Sequence, residues 1–208
     1  MTGADHDHER FAAAFHRGAE DASAALATWL DRPVTLVVER FVSLPIVAAL
    51  AALGSGEEPI CGCAMRITGA VSGVLLLAAA DRAGLALAET LLERPEGSCT
   101  SWGELERSAV IETANIVGCA YLNAICAALG PERADGILPS PPIFLRDYPE
   151  PVMEAALLEQ PTAADTVLLA QTGFVIDGAS FRCGLVFVPD AASLAALVND
   201  GVEPGPRP

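Results

Sequence analysis

The sequence predicts an α+β fold built by internal duplication: a pseudo-twofold α/β sandwich of about six strands and two long helices. Three observations predict it. The order helix, strand, short helix, hairpin, helix occurs twice along the chain. Thr68-Gly69-Ala70 and Asp177-Gly178-Ala179 lie 109 residues apart, and so do Asp81 with its Ala/Leu-rich follow-on and Asp190 with the same kind of follow-on. Apolar residues make up 52 % of the 208 positions, enough for a large core, but aromatics only 5 %, so that core is built from Ala, Leu and Val. The duplicated unit is expected to span 9–198, with half-repeats at about 9–92 and 102–198. Residues 1–8 and 199–208 read as disordered tails, polar at the start and Gly/Pro-rich at the end.

Each element has a local reason. From Glu9 to Leu30, Phe11, Phe15, Ala22, Leu26 and Trp29 recur among the apolar positions of a helix, which Asp31-Arg32-Pro33 ends. Val34 to Val42 is rich in β-branched residues and reads as a strand. Pro45 to Leu53 is a short apolar helix. Ile60 to Thr68 and Ala70 to Ala79 are two strands of a hairpin turning near Gly69. Asp81 is placed to cap a helix running to about Leu92, and 93–100 is a loop.

The second half begins with a long helix from Trp102 to Leu129. Ser101 serves as its N-cap, with Glu104 completing a capping box, and Gly130-Pro131 is a stop signal. Over 137–146 a loop leads into a strand, confined to its later part by Pro139, Pro141 and Pro142. Pro151 to Glu159 is a short helix. Thr166 to Ile176 and Ser180 to Val188 are strands around an Asp177-Gly178 turn. Asp190 caps a last helix to Val198.

Charge narrows the partners. All 12 basic residues are Arg, and the formal net charge is −15. Such a surface repels phosphate backbones and anionic lipid heads, so nucleic acid and membrane surfaces are poor partners. It also argues against a cationic phosphate-binding patch: if phosphate is handled, another molecule supplies the positive charge. The acidic start lacks the apolar segment of a signal peptide, and no uninterrupted apolar run reaches membrane-spanning length, which places the protein in the cytoplasm. The six cysteines are then thiols. Cys61 and Cys63 share one face of a strand, with no second pair at metal-site spacing, and read as structural thiols; a thiol or metal protein built on them has only that spacing behind it. His6, Asp7, His8 and Glu9 could chelate a metal loosely, but a disordered polar start accounts for them. No metal site is expected.

The long helix carries two stripes. Val110, Ala114, Val117, Tyr121, Ile125 and Ala128 form an apolar one. Ser108, Glu112, Asn115 and Cys119, at steps of four, three and four, form a second. A carboxylate and a carboxamide thus point the same way, one turn apart, from a stiff rod. The amide can hold a water; the carboxylate can pair with a cation or take a proton. The same spacing also occurs on any solvated helix face.

Ser108-x-x-x-Glu112-x-x-Asn115-Ile116, then Gly118-x-Ala120-Tyr121-Leu122-Asn123-Ala124-Ile125, then Pro139 in a Pro-rich turn, resembles the motif of the CheC-type phosphatases of bacterial chemotaxis, with their CheX and FliY relatives. The stretches Gln171 to Gly178 and Cys183 to Asp190 also look like the family, and the resemblance covers about Phe11 to Val198. It implies an internally duplicated fold and an enzyme that removes the phosphoryl group from a CheY-like response regulator. It assigns catalysis to Glu112 and Asn115 and a partner-binding contact to Ser108. No cofactor is bound by this chain; Mg²⁺ is expected in the partner's receiver domain. A CheD-type deamidase is a further partner the resemblance allows.

Matching Ala24-Ala25-Leu26-Ala27-Thr28 with Asn123-Ala124-Ile125-Cys126-Ala127 sets Glu9 opposite Ser108, Ala13 opposite Glu112 and His16 opposite Asn115. The first-half copy is therefore degenerate, and one site is expected, in the second half. The alternative is a CheC-like binding module with weak or no catalysis, docking a response regulator, a CheD-type deamidase or the flagellar switch. Exposure of Glu112 and Asn115 on a flat face favours the enzyme; burial of either favours the module.

Overall fold

A computed structural model describes residues 3–54, 56–129, 136–158, 160 and 165–193, with side chains from Glu9 onward. Helix α1 runs Gly3–Leu30. Strand β1 (Val34–Pro45) leads into α2 (Ile46–Leu53). The hairpin β2 (Ile60–Thr68) and β3 (Gly73–Ala80) precedes α3 (Asp81–Leu91). The second half holds α4 (Glu104–Leu129), β4 (Leu138–Pro139), β5 (Ile143–Asp147), α5 (Pro149–Leu157), β6 (Thr166–Ile176) and β7 (Ala179–Pro189).

The seven strands form one antiparallel sheet in the order β1-β6-β7-β3-β2, with both β4 and β5 on the outer side of β2. Exchanging β1 with β5, β2 with β6 and β3 with β7 leaves this order unchanged, read from the other end. The pseudo-twofold axis therefore runs between β3 and β7, and each half lends its first strand to the hairpin of the other. The seventh strand, beyond the six expected, is the two-residue β4: Pro139, Pro141 and Pro142 break what is one long strand in the first half into two short pieces.

Alternation along the strands splits the core into two. Leu75, Phe174, Leu185 and Phe187 face α1 and α4, where Phe15, Leu26, Tyr121 and Ile125 meet them. Leu76, Leu169, Val186 and Val188 face the other way, under α2 and α5, with Ala49, Val152 and Met153. A β-bulge at Glu39 in β1 adds one residue to that strand. Val34, Leu36 and Val38 face α1 before it; Val42 and Leu44 face the α2 side after it, so one edge strand serves both cores.

Several ends differ from expectation. Helix α1 starts at Gly3, ahead of Glu9, so part of the expected 1–8 tail is helical. Residues 199–208, the 130–131 stop and the helix beyond Ser193 lie outside the described residues. β3 starts at Gly73, and α5 at Pro149, where the missing amide costs nothing in a first turn. Asp177 and Gly178 both have positive φ, 50° and 86°, the turn a tight hairpin requires. Asp190 accepts from the Ser193 amide at 2.6 Å and is the cap expected of it. Its counterpart Asp81 caps nothing; its carboxylate is taken by side chains from other elements.

α1 and α4 pack directly on each other. Phe15 and Tyr121 meet edge-on at 5.5 Å, and a Cβ at Gly18 would come within 2.9 Å of the Tyr121 Cα. Burial along α1 from Phe11 to Leu30 closely follows burial along α4 from Val110 to Leu129, the register that sets His16 opposite Asn115. By length and composition alone α4 could span a membrane, with mean hydropathy 1.4 over its most apolar window, although Glu112, Asn115 and Asn123 interrupt its apolar run. Here its apolar residues Val117, Tyr121 and Ile125 are buried against α1 and the sheet.

Candidate functional site

The candidate site is the outer face of α4, and the way that helix is anchored fixes where this face lies. The capping box is not Ser101 with Glu104. The helix begins at Glu104, which makes Gly103 its N-cap, and Glu106 at the third position reaches back to the Gly103 amide. The Glu106 carboxyl is held below the usual carboxylate range by its own amide first, and then by its contact with Arg94 and the Gly103 amide. Buried Glu89, on α3, accepts from the amides of Gly97 (3.0 Å) and Cys99, and so pins the loop that enters α4.

Trp102 closes the anchor. Its Nε1 donates to Asp81 at 2.8 Å and its ring packs on Phe144 with centroids 4.8 Å apart. Arg146 grips the same Asp81 with two hydrogen bonds, 2.7 and 3.0 Å. These contacts, the Arg146 bond foremost, hold the Asp81 carboxyl below its ordinary value against its partial burial. Helix α3, the segment that enters α4 and strand β5 thus meet at one carboxylate. Farther along, Gly118 leaves no room for a side chain: a Cβ there would lie 2.5 Å from the Met65 sulfur on β2.

The inward face of α4 is Thr113, Ala114, Val117, Tyr121 and Ile125, all buried. The outward stripe is Ser108 and Glu112, exposed, then Asn115 and Cys119, half-buried. The structure brings the three expected site residues onto one solvent-facing side and buries none of them. The Cys119 thiol donates to the Asn115 Oδ1 at 3.9 Å. Burial first, and then the charge of Glu112, push that thiol's pKa up, so it keeps its proton at neutral pH. Leu105, 60 % exposed, continues the stripe one turn earlier. Sequence spacing alone marked the Cys119 position but not its bond, and Leu105 could have been found by extending the same steps backwards. Pro139 is elsewhere: it lies in β4, paired with Ile67 at the sheet edge.

On α1 the positions matching Ser108, Glu112 and Asn115 are Glu9, Ala13 and His16, all exposed. Neither the acid nor the amide is present there.

Cys61 and Cys63 are buried beside an apolar cavity of about 40 Å³ shared with Cys183. Their thiols donate to the carbonyls of Ala79 and Val110, both at 3.8 Å, and burial pushes both up to about 12. No group of three His, Cys, Asp or Glu side chains able to hold a metal occurs among the described residues. A larger groove of about 520 Å³, lined by Ala64, Thr68, Ser72, Ser140, Gln160 and Asp190 among others, contains none of the stripe residues.

The duplicated sheet with its long helix pair is the fold of FliY and of the FliM middle domain, and this chain adopts it. It is similar over 95 % of its length to FliY of Thermotoga maritima, covering 95 % of that chain with a TM-score of 0.65 at 16 % identity. It is similar over 93 % to the FliM middle domain of H. pylori, covering 97 % of that chain with a TM-score of 0.63 at 11 % identity. The FliG–FliM complex of H. pylori matches 94 % of this chain and 98 % of that one, with a TM-score of 0.62 at 9 % identity. At such identities the likeness defines the fold. The sequence matches no protein-family model and no curated protein.

Proposed function

We propose that the chain is an aspartyl-phosphate phosphatase acting on a CheY-like response regulator, with one site, on α4. The observation that carries this reading is the outward display of Glu112 and Asn115, one turn apart, on a helix whose other face is locked into the core. The resemblance of the Ser108–Glu112–Asn115 pattern to the CheC-type motif supplies the reaction.

The chemistry asks little of this protein. In-line attack of water on the acyl phosphate forms a new P–O bond as the bond to the aspartyl oxygen breaks, releasing phosphate and the free carboxylate. The partner supplies Mg²⁺ and a Lys that neutralise the phosphoryl oxygens. What remains is positioning. Asn115 enters the partner's site and holds the attacking water through its carboxamide. Glu112 pairs with the partner's Lys, fixes the docked geometry and accepts a proton from the water. Ser108 contacts the rim, and Leu105 adds apolar surface to the same face. A chain of net charge −15 suits this division, since it brings no cation of its own to the phosphate. The setting this implies is the cytoplasm.

A second reading is an adaptor that docks a response regulator, a deamidase or the flagellar switch. The missing acid and amide on α1 favour it, as does the fold shared with the FliM middle domain, which is seen in complex with FliG in H. pylori.

The deciding experiment mixes the protein with a panel of phosphorylated response regulators from its own organism and follows acyl-phosphate loss. Acceleration that disappears in Asn115→Ala, by about a hundredfold, is expected of a positioning residue. No acceleration with any regulator would favour the adaptor.

A further inference from the structure

We propose that Cys119 is a positioning residue for Asn115: its S–H sets the rotation of the carboxamide so that the water-holding edge faces the docked partner. This inference rests on the phosphatase reading of the same face.

The terminal torsion of an asparagine side chain is broad, and a half-exposed carboxamide has no intrinsic preference for one orientation. A misplacement of about 1 Å can lower the rate about a hundredfold when positioning is the whole contribution. A contact on this chain that restrains the amide before the partner arrives therefore raises the rate. Cys119 is one helical turn beyond Asn115 on the same stripe, and its sulfur lies 3.9 Å from Oδ1. This contact is the hydrogen bond that the Asn115 carboxamide makes among the described residues. A thiol is a weak donor. In the observed form the S–H donates to the carbonyl end of the amide; in the flipped form the sulfur could only accept weakly from the NH₂ end, so the contact biases the amide toward the observed orientation. Oδ1 keeps its second lone pair for the water, and the NH₂ group remains free to donate. The thiol stays protonated beside Glu112, which preserves the donor.

Two measurements on the full-length protein test this. In steady-state dephosphorylation of the substrate regulator, Cys119→Ala is expected to lower kcat about three- to tenfold, the modest effect of a weak donor, with KM unchanged. Asn115→Ala serves as the floor. In the infrared, the S–H stretching band of Cys119, obtained as wild type minus Cys119→Ala, is expected to move when Asn115 is replaced by Ala. Wild-type kcat in Cys119→Ala, with Asn115→Ala inactive, overturns this inference and leaves the phosphatase reading standing. An unmoved S–H band overturns it whatever the kinetics. Full activity in Asn115→Ala overturns the phosphatase reading, and this role for Cys119 with it.

Discussion

At the scale of single residues, Asp81 and Gly18 make two of the contacts that hold α4 where it is. Asp81 gathers Trp102 and Arg146, and its folded pKa lies below that of the unfolded chain. Just above the folded value the unfolded chain still holds this proton while the folded one has released it. The stabilisation is therefore complete above about pH 4, the ordinary aspartate value, and is lost as pH falls through the lower folded value. Melting temperatures of wild type and Asp81→Asn should differ at pH 7 and converge as the pH is taken down toward 3. A constant difference across that range would contradict the assignment. Gly18 is required by contact and not by φ. In Gly18→Ala a gain of about 1 kcal/mol in helix propensity opposes about 1–3 kcal/mol of overpacking against the Tyr121 backbone. The contact wins, so thermal denaturation should show a lower melting temperature for Gly18→Ala.

At the scale of elements, α4 was legible in outline and misread at its start. The stripe of Val117, Tyr121 and Ile125 against that of Ser108, Glu112 and Asn115 follows from a period of 3.6, and the structure keeps both. Ser101 with Glu104 satisfied the capping pattern as letters, yet Gly103 with Glu106 satisfies it in fact. The pattern does not say which of two acidic residues two apart turns back, because that depends on Trp102 and Arg94 fixing the entering chain from other elements. Asp81 was misread for the same reason: a side chain with a local cap available was taken by Arg146, 65 residues away. Removing Glu106 should fray α4 locally. In Glu106→Ala, amide exchange at 104–107 should quicken while exchange at 117–125 stays slow; uniform quickening would mean the box supports the whole fold.

At the scale of the molecule, the repeat was visible because Thr68-Gly69-Ala70 and Asp177-Gly178-Ala179 mark equivalent hairpin turns. The exchange of first strands between halves was not visible, since β1 on β6 and β5 on β2 are pairings between distant segments that no local pattern encodes. Nor could the prolines near 139–142 reveal whether the strand they interrupt survives in pieces. The duplication makes one further prediction. Ala13 and His16 sit exposed on α1 where Glu112 and Asn115 sit on α4. The double change Ala13→Glu with His16→Asn should install a second site, raise turnover per molecule about twofold, and leave activity that survives Asn115→Ala, as independent sites add. No gain would mean that α1 lacks the docking surface that α4 has.

The division of labour along α4 is settled by saturation kinetics of phospho-regulator decay with wild type, Asn115→Ala and Glu112→Ala side by side. If α4 works by holding a water, Asn115→Ala loses kcat by about a hundredfold at unchanged KM, while Glu112→Ala, which removes both the pairing to the partner's Lys and the proton acceptor, raises KM and lowers kcat. Wild-type kcat in Asn115→Ala would contradict the water-positioning mechanism outright.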